Sequence, residues 1–164
     1  MEYARRKNIR LTGYDYSQQG GYFVTLCTHE RVNSLANIFP GTERVRARIV
    51  LTELGQIADS VLRQLPLRYG YLLDAYVIMP NHVHMILIKK ESGGMTVGQF
   101  VGAFKSTVST QWYQECDRQG IKAGKLWQRN YYDHILRNEA DYMEKLKYVD
   151  ENADKWHLDK LYRN

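Results

Sequence analysis

His82 and His84 stand two residues apart in the segment MPNHVHMILI, residues 79–88. In an extended strand, residues i and i+2 point the same way. Both imidazoles therefore share a face with Ile86 and Ile88, while Val83, Met85 and Leu87 take the other. Two neutral imidazoles side by side can offer nitrogen lone pairs to one divalent cation, and the same spacing equally suits two half-buried histidines hydrogen-bonded at a sheet end. A metal centre needs at least one more protein ligand and an open position for water or substrate, so a third group must come from elsewhere. The segment LRNEADYMEKLKYVDEN, residues 136–152, offers one. Its helical apolar stripe runs through Tyr142, Leu146 and Val149. Tyr148 and Asn152, four apart, stack one above the other on a polar face about 100° away. Alone, that pair reads as an exposed aromatic beside an amide. Set against the histidines, it supplies an amide oxygen as third ligand and a phenol as a nucleophile. Two imidazoles and an amide are all neutral, so a bound cation would keep its full charge for polarising a phosphate oxygen.

The surrounding composition narrows the substrate. The chain has 164 residues and a net charge of +5, with 13 tyrosines against 4 phenylalanines and 3 tryptophans. Its basic excess is local: Arg5, Arg6, Lys7 and Arg10 lead the chain, and a second patch runs from Lys105 through Arg129 to Arg137. Lysine and arginine displace counterions from phosphates and aromatics stack on bases, although each of these cations is also an ordinary solvated surface charge. His134 is a candidate to support the metal ligands or to touch DNA, with a structural histidine as the plainer alternative. No apolar run approaches the ~20 residues of a membrane span, and no secretion signal follows the basic N-terminus. Cys27 and Cys116 lack metal spacing and suit a reducing compartment, so a cytoplasmic location is expected. The length leaves no room for a second full domain: the expectation is one domain over residues 1–164, with a basic segment over about 1–20.

The elements that must position these groups can be read from hydrophobic period. Gly20-Gly21 opens a strand through Cys27. A helix is expected from about Arg44 to Leu65, carried by Ala47, Val50, Leu51, Leu54, Ala58 and Val61, and stopped by Pro66. Strands over Tyr71–Met79 and His82–Ile88 are separated only by Pro80-Asn81, which predicts an antiparallel hairpin. A helix from Val97 to about Glu115, an edge strand over Tyr131–Leu136 and a helix over Glu139–Asn152 complete the chain. The order β-α-β-β-α-β-α predicts an α+β fold: a ferredoxin-like antiparallel sheet covered by helices, with an added C-terminal helix carrying the nucleophile.

The HVH strand, Tyr148-x-x-x-Asn152 and the run LWQRNYYDHILRNEADYMEKLKYVDEN resemble the REP-associated tyrosine transposases, single-tyrosine members of the HUH nuclease superfamily. The opening RKNIRLTGYDYSQQGGYFVTLCTHER is similar to the start of that family, so the resemblance spans roughly Arg6 to Trp156. Ala153 follows Asn152 where the family usually has proline, which leaves the end of the helix to the fold. The resemblance implies His82, His84 and Asn152 as ligands of Mg²⁺ or Mn²⁺ and Tyr148 as nucleophile. It also implies single-stranded or hairpin DNA as partner and a 5′-phosphotyrosine intermediate, in a protein acting as monomer or homodimer. The alternative is a domesticated repeat-hairpin binder without catalysis. Rolling-circle nucleases and relaxases are commonly larger, and an RNA-binding module of this fold would show an aromatic-glycine strand motif that is missing here. A small-molecule metalloenzyme leaves the basic N-terminus unexplained.

Overall fold

The computed structural model describes residues 13–163. Gly20–Cys27 forms β1, Tyr71–Ile78 β4, His82–Lys89 β5 and Tyr132–Leu136 β6. They build one antiparallel sheet in the order β4-β5-β1-β6. Taken with the helices α1 (Glu53–Arg68) and α2 (Val97–Gln119), this is the strand order of a ferredoxin-like unit, as the element order predicts. A third helix, α3 (Glu139–Glu151), lies on the other face of the sheet.

Alternation along the two central strands creates two unlike faces. Tyr22, Val24 and Leu26 of β1 and Val83, Met85 and Leu87 of β5 point to α1 and α2, where Leu62, Phe100, Phe104 and Val108 complete a fully buried core. Each such leucine or phenylalanine is worth about 1.5–3 kcal/mol in burial. Phe23, Thr25, His82, His84 and Ile86 occupy the opposite face, under α3 and Trp156.

The first helix differs from its sequence reading. It begins at Glu53, where Thr52 accepts a hydrogen bond from the Gly55 amide at 3.0 Å. Residues Arg48–Leu51 form a short strand, β3, paired with β2 (Ala36–Phe39), which the hydrophobic period did not reveal. Ala47 and Leu51 match helical spacing by coincidence: with Ile49 they form the half-buried side of an alternating ribbon, and Val50, on the other side, is exposed. Nor does Pro66 stop the helix: it sits in the last turn, where the missing N–H costs one bond, and the chain continues to Arg68 before Gly70 turns it at φ 77°. The ribbon reaches back to α3. Arg46 binds the Asp150 and Asp154 carboxylates at 3.1 and 3.0 Å, and the Ala47 amide donates to Asp154 at 2.6 Å. These contacts hold the C-terminal end of the helix that carries Tyr148.

Gly55 sits where α1 crosses the chain before the ribbon, and a Cβ there would lie 2.0 Å from the Leu35 carbonyl oxygen. Backbone cannot swing aside as a side chain can. Gly55→Ala is expected to destabilise the protein by about 2–4 kcal/mol, read as a lower denaturant midpoint at unchanged slope.

Candidate functional site

Strand alternation and the hairpin bring the two histidines to the mouth of the sheet. Pro80 and Asn81 make the turn, and the Met79 amide closes it on the His82 carbonyl at 2.8 Å. The imidazoles of His82 and His84 lie with centroids 4.4 Å apart, and both residues are buried. Each is held through Nδ1: His84 by the Thr25 hydroxyl at 2.7 Å, from the neighbouring position on β1, and His82 by Asn81 Oδ1 at 2.8 Å. Their Nε2 atoms are buried with no hydrogen-bond partner.

The third helix arrives over this face. Asn138 caps its start by accepting from the Asp141 amide at 2.9 Å, and His134 on β6 meets the Asp141 carboxylate at 2.8 Å. His134 therefore ties the helix to the edge strand. Tyr142, Leu146 and Val149 pack on the sheet as the stripe predicts, with the Tyr142 hydroxyl donating to Asp74 at 2.7 Å. Tyr148 and Asn152 share the adjacent face, and the fold lays them on the histidines of their own chain. The Tyr148 ring is 5.1 Å from that of His84, and its exposed edge opens to solvent. Asn152 is buried, with Oδ1 unpartnered, and closes the helix as its C-cap although Ala153 follows it.

One residue joins the site without any local signal in the sequence. After α3 the chain turns through Trp156–Leu158 and brings Asp159 under the helix. Its Oδ2 accepts from Asn152 Nδ2 at 2.9 Å and from the Tyr148 hydroxyl at 3.3 Å, and lies 3.8 Å from His82 Nε2. Ligand atoms of His82, His84 and Asp159 all fall within 4.8 Å of one another. With the Asn152 oxygen, they form a set of nitrogen and oxygen donors suited to a divalent cation such as Mn²⁺ or Mg²⁺. Three buried atoms without partners, His82 Nε2, His84 Nε2 and Asn152 Oδ1, fit a metal better than an empty apolar core, since an unpaired buried polar atom is costly. Asp159 makes the set anionic, where the histidines and amide alone would be neutral.

Burial keeps both histidines neutral: it pushes His82 down to about 4, opposed by the Asp159 charge, and holds His84 well below the ordinary value. Both lone pairs are thus available at neutral pH. The linkage sign follows. Between the ordinary 6.5 and about 4 the unfolded chain takes up a proton at His82 that the folded protein refuses, so stability falls as pH falls through that window. The loss expected from His82 in metal-free protein is about 3 kcal/mol, with His84 adding in the same sense. Thermal unfolding in a chelator from pH 7 to pH 4 measures it, and a flat profile would contradict it.

A cleft of about 540 Å³ runs over the site, walled by Phe23, Tyr132, Tyr148 and Leu158, with Lys145 and Lys160 at its rim. Phe23 stacks on His84 at 5.2 Å. The basic residues expected to bind DNA are placed unevenly. Lys105 points its ammonium at the carbonyls of Gln128 and Asn130, at 2.8 and 3.1 Å, and burial lowers it to about 8; it staples the loop that leads into β6. Arg129 is exposed on that loop. Arg5, Arg6, Lys7 and Arg10 lie outside the described residues. Among the described residues no helix is long and apolar enough to cross a membrane.

Comparison with known proteins bears on the family and the fold. A sequence model of the family described as "Transposase IS200 like" matches residues 42–152. An uncharacterised protein of Haemophilus influenzae is 29% identical, over 96% of this chain and 93% of its own length. A second protein of that organism, provisionally named a REP-associated tyrosine transposase, is 23% identical over 82% of this chain and 70% of its own. Among solved structures, a REP-associated tyrosine transposase bound to a REP hairpin superposes with a TM-score of 0.60 at 19% identity, covering 98% of this chain and 77% of that one. A provisionally assigned transposase from Deinococcus radiodurans gives 0.51 at 20% identity, covering 92% and 97%. At these identities the two structures bear on the fold.

Proposed function

Because the chain belongs to the IS200-like transposase family, we propose that it is a metal-dependent enzyme that nicks and rejoins single-stranded DNA beside a repeat hairpin, using Tyr148 as nucleophile. The observation that carries this reading is that Tyr148, His84, Asn152 and Asp159 line one open cleft, with the unpartnered Nε2 of His82 buried directly behind Asp159. A repeat-hairpin binder without chemistry needs none of these groups together.

His82, His84 and Asn152, joined by Asp159, would hold the cation, and the chemistry it supplies is polarisation of a non-bridging phosphate oxygen. The protein's own task is to aim the phenol. α3, held by Arg46 at one end and by Asp141 to His134 at the other, fixes Tyr148 beside the histidines, so attack needs no search for geometry. Burial first, then the Asp159 charge and hydrogen bond, raise the pKa of Tyr148 above that of a free phenol. In this metal-free arrangement Asp159 opposes ionisation, and neutralising that carboxylate is what would make the phenol easier to deprotonate. Attack by the phenolate oxygen forms a bond to phosphorus and breaks the bond to the 3′-oxygen, which leaves as a hydroxyl after gaining a proton. The resulting 5′-phosphotyrosine retains the phosphodiester's energy, so a second 3′-hydroxyl can reverse the step and join new ends. The cleft admits a strand whose bases are unstacked, and Phe23, Tyr132 and Leu158 offer apolar surface to them. We take residues 1–164 as one catalytic domain, with the basic segment 1–20 adding phosphate contacts.

Incubation with single-stranded repeat-hairpin oligonucleotides and Mn²⁺ should yield a covalent protein–DNA band on denaturing gels. Cleavage without such a band would reject the tyrosine mechanism, and hairpin binding with no cleavage under any divalent metal would favour the domesticated binder.

A further inference from the structure

We propose that Asn81 is a positioning residue for the metal centre: its side-chain amide holds His82 in the tautomer that leaves Nε2 free to bind a cation. The inference rests on the metal-dependent reading above. Asn81 is fully buried. Its Nδ2 donates to the Leu161 carbonyl at 2.8 Å and to the Arg31 carbonyl at 3.3 Å. Both partners only accept, so the amide cannot be turned over without setting its oxygen against two other oxygens. Oδ1 therefore faces His82 Nδ1, 2.8 Å away. An amide oxygen cannot donate, so Nδ1 must carry the hydrogen. In a neutral imidazole the lone pair then belongs to Nε2, the buried atom without a partner. Thr25 imposes no such choice on His84, because a hydroxyl can both donate and accept. The two ligands are thus prepared differently.

The backbone around Asn81 is arranged for this purpose. Glu30 and Arg31 both lie in the left-handed region, at φ 54° and 56°, a conformation that non-glycine residues rarely adopt. This turn delivers the Arg31 carbonyl to Nδ2. The Asn81 carbonyl accepts from the Thr28 amide at 2.9 Å and the Thr28 hydroxyl at 3.1 Å, while the Pro80 carbonyl accepts from the Ser34 and Leu35 amides, each at 2.9 Å. Segments distant in the chain converge on one amide: the turn at 28–35, the β4–β5 hairpin and the residues after Asp159. The Asp159 that faces His82 and the Leu161 that orients Asn81 are two residues apart, so the two sides of the cation site are set by one short piece of chain.

Nitrogen-15 NMR of the imidazoles in metal-free wild-type protein tests the proposal directly. His82 is expected as the Nδ1–H tautomer, and a His82 protonated on Nε2 would overturn the idea whether or not metal binds. Variants give an independent readout. Asn81→Asp keeps an oxygen facing Nδ1 and, as the neutral acid that burial and two facing carbonyls enforce, donates its hydroxyl to the Leu161 carbonyl in place of Nδ2, whereas Asn81→Ala removes the oxygen. By calorimetry, Asn81→Ala should lose about 10–100-fold in Mn²⁺ affinity, and Asn81→Asp should keep most of the wild-type value. Equal losses of affinity in both, tracking equal losses of melting temperature in chelator, would make Asn81 a packing residue and end the proposal. Should Asn81→Ala fail to fold, the tautomer of His82 in wild type and in Asn81→Asp still decides it. A wild type that binds no Mn²⁺ would instead sink the metal reading, and the NMR result would still stand or fall by itself.

Discussion

Tyr148→Phe is expected to abolish the covalent protein–DNA band and to lower strand cleavage by at least about 10³-fold, while hairpin binding stays near the wild-type level. The change removes one oxygen. The ring keeps its edge-on contacts with His84 and Phe23, and the hydroxyl interacts with Asn152 and with the Asp159 oxygen at 3.3 Å, which Asn152 still satisfies. Stability should therefore move little, so that lost activity can be assigned to lost chemistry. If Tyr148→Phe formed the adduct as well as wild type, another residue would be the nucleophile. Tyr142 is the other tyrosine of α3, but its hydroxyl is committed to Asp74 and it packs against the apolar stripe.

The second large effect is expected at the histidines. His82→Ala and His84→Ala should each weaken Mn²⁺ binding by more than about 100-fold and abolish cleavage, because loss of a direct ligand exceeds the cost of losing an outer partner. Calorimetry and the adduct assay read these two outcomes. Each truncation also strands a buried group, Asn81 Oδ1 or the Thr25 hydroxyl, at a cost of about 1–3 kcal/mol. A change to glutamine refills most of the volume with a different donor and separates that cost from the metal. Cleavage that survives in either alanine variant, or in wild type under a strong chelator, would contradict the proposed role of the cation.

The legible parts of the site share a property: each pair is close in sequence and its geometry is set by one element. His82 and His84 share a face because strand alternation has period two, and Tyr148 and Asn152 share one because a helix returns after four residues. The fold was readable on the same ground, from elements long enough to show their period. Reading failed where period was ambiguous. Four residues of β3 and the spacing of Ala47, Val50 and Leu51 could not be told from the first turns of a helix, since a ribbon so short has no period of its own. Charge was also a poor guide to exposure: Lys105 counts as basic surface in the sequence, yet its ammonium is occupied by backbone carbonyls. The tyrosine excess divides in the same way. Tyr22 and Tyr71 are core residues, whereas Tyr148 and Tyr132 reach the cleft.

The sequence by itself determined which side chains pair and which element each pair rides on, because dihedral geometry and side-chain period act over a few residues. Only the tertiary structure decided that the two pairs meet within one chain. Only it could bring Asp159 against His82 and fix the orientation of the Asn81 amide, for the approach of Asp159 to His82 and the bonds from Asn81 to Arg31 and Leu161 join distant parts of the chain and depend on how α3 and the segment after it pack on the sheet. Burial does the rest. It strips water from imidazole nitrogens that would otherwise be hydrated and leaves them as lone pairs without partners. That makes two histidines a candidate metal site, and it is a property of the packed interior that no spacing in the chain encodes.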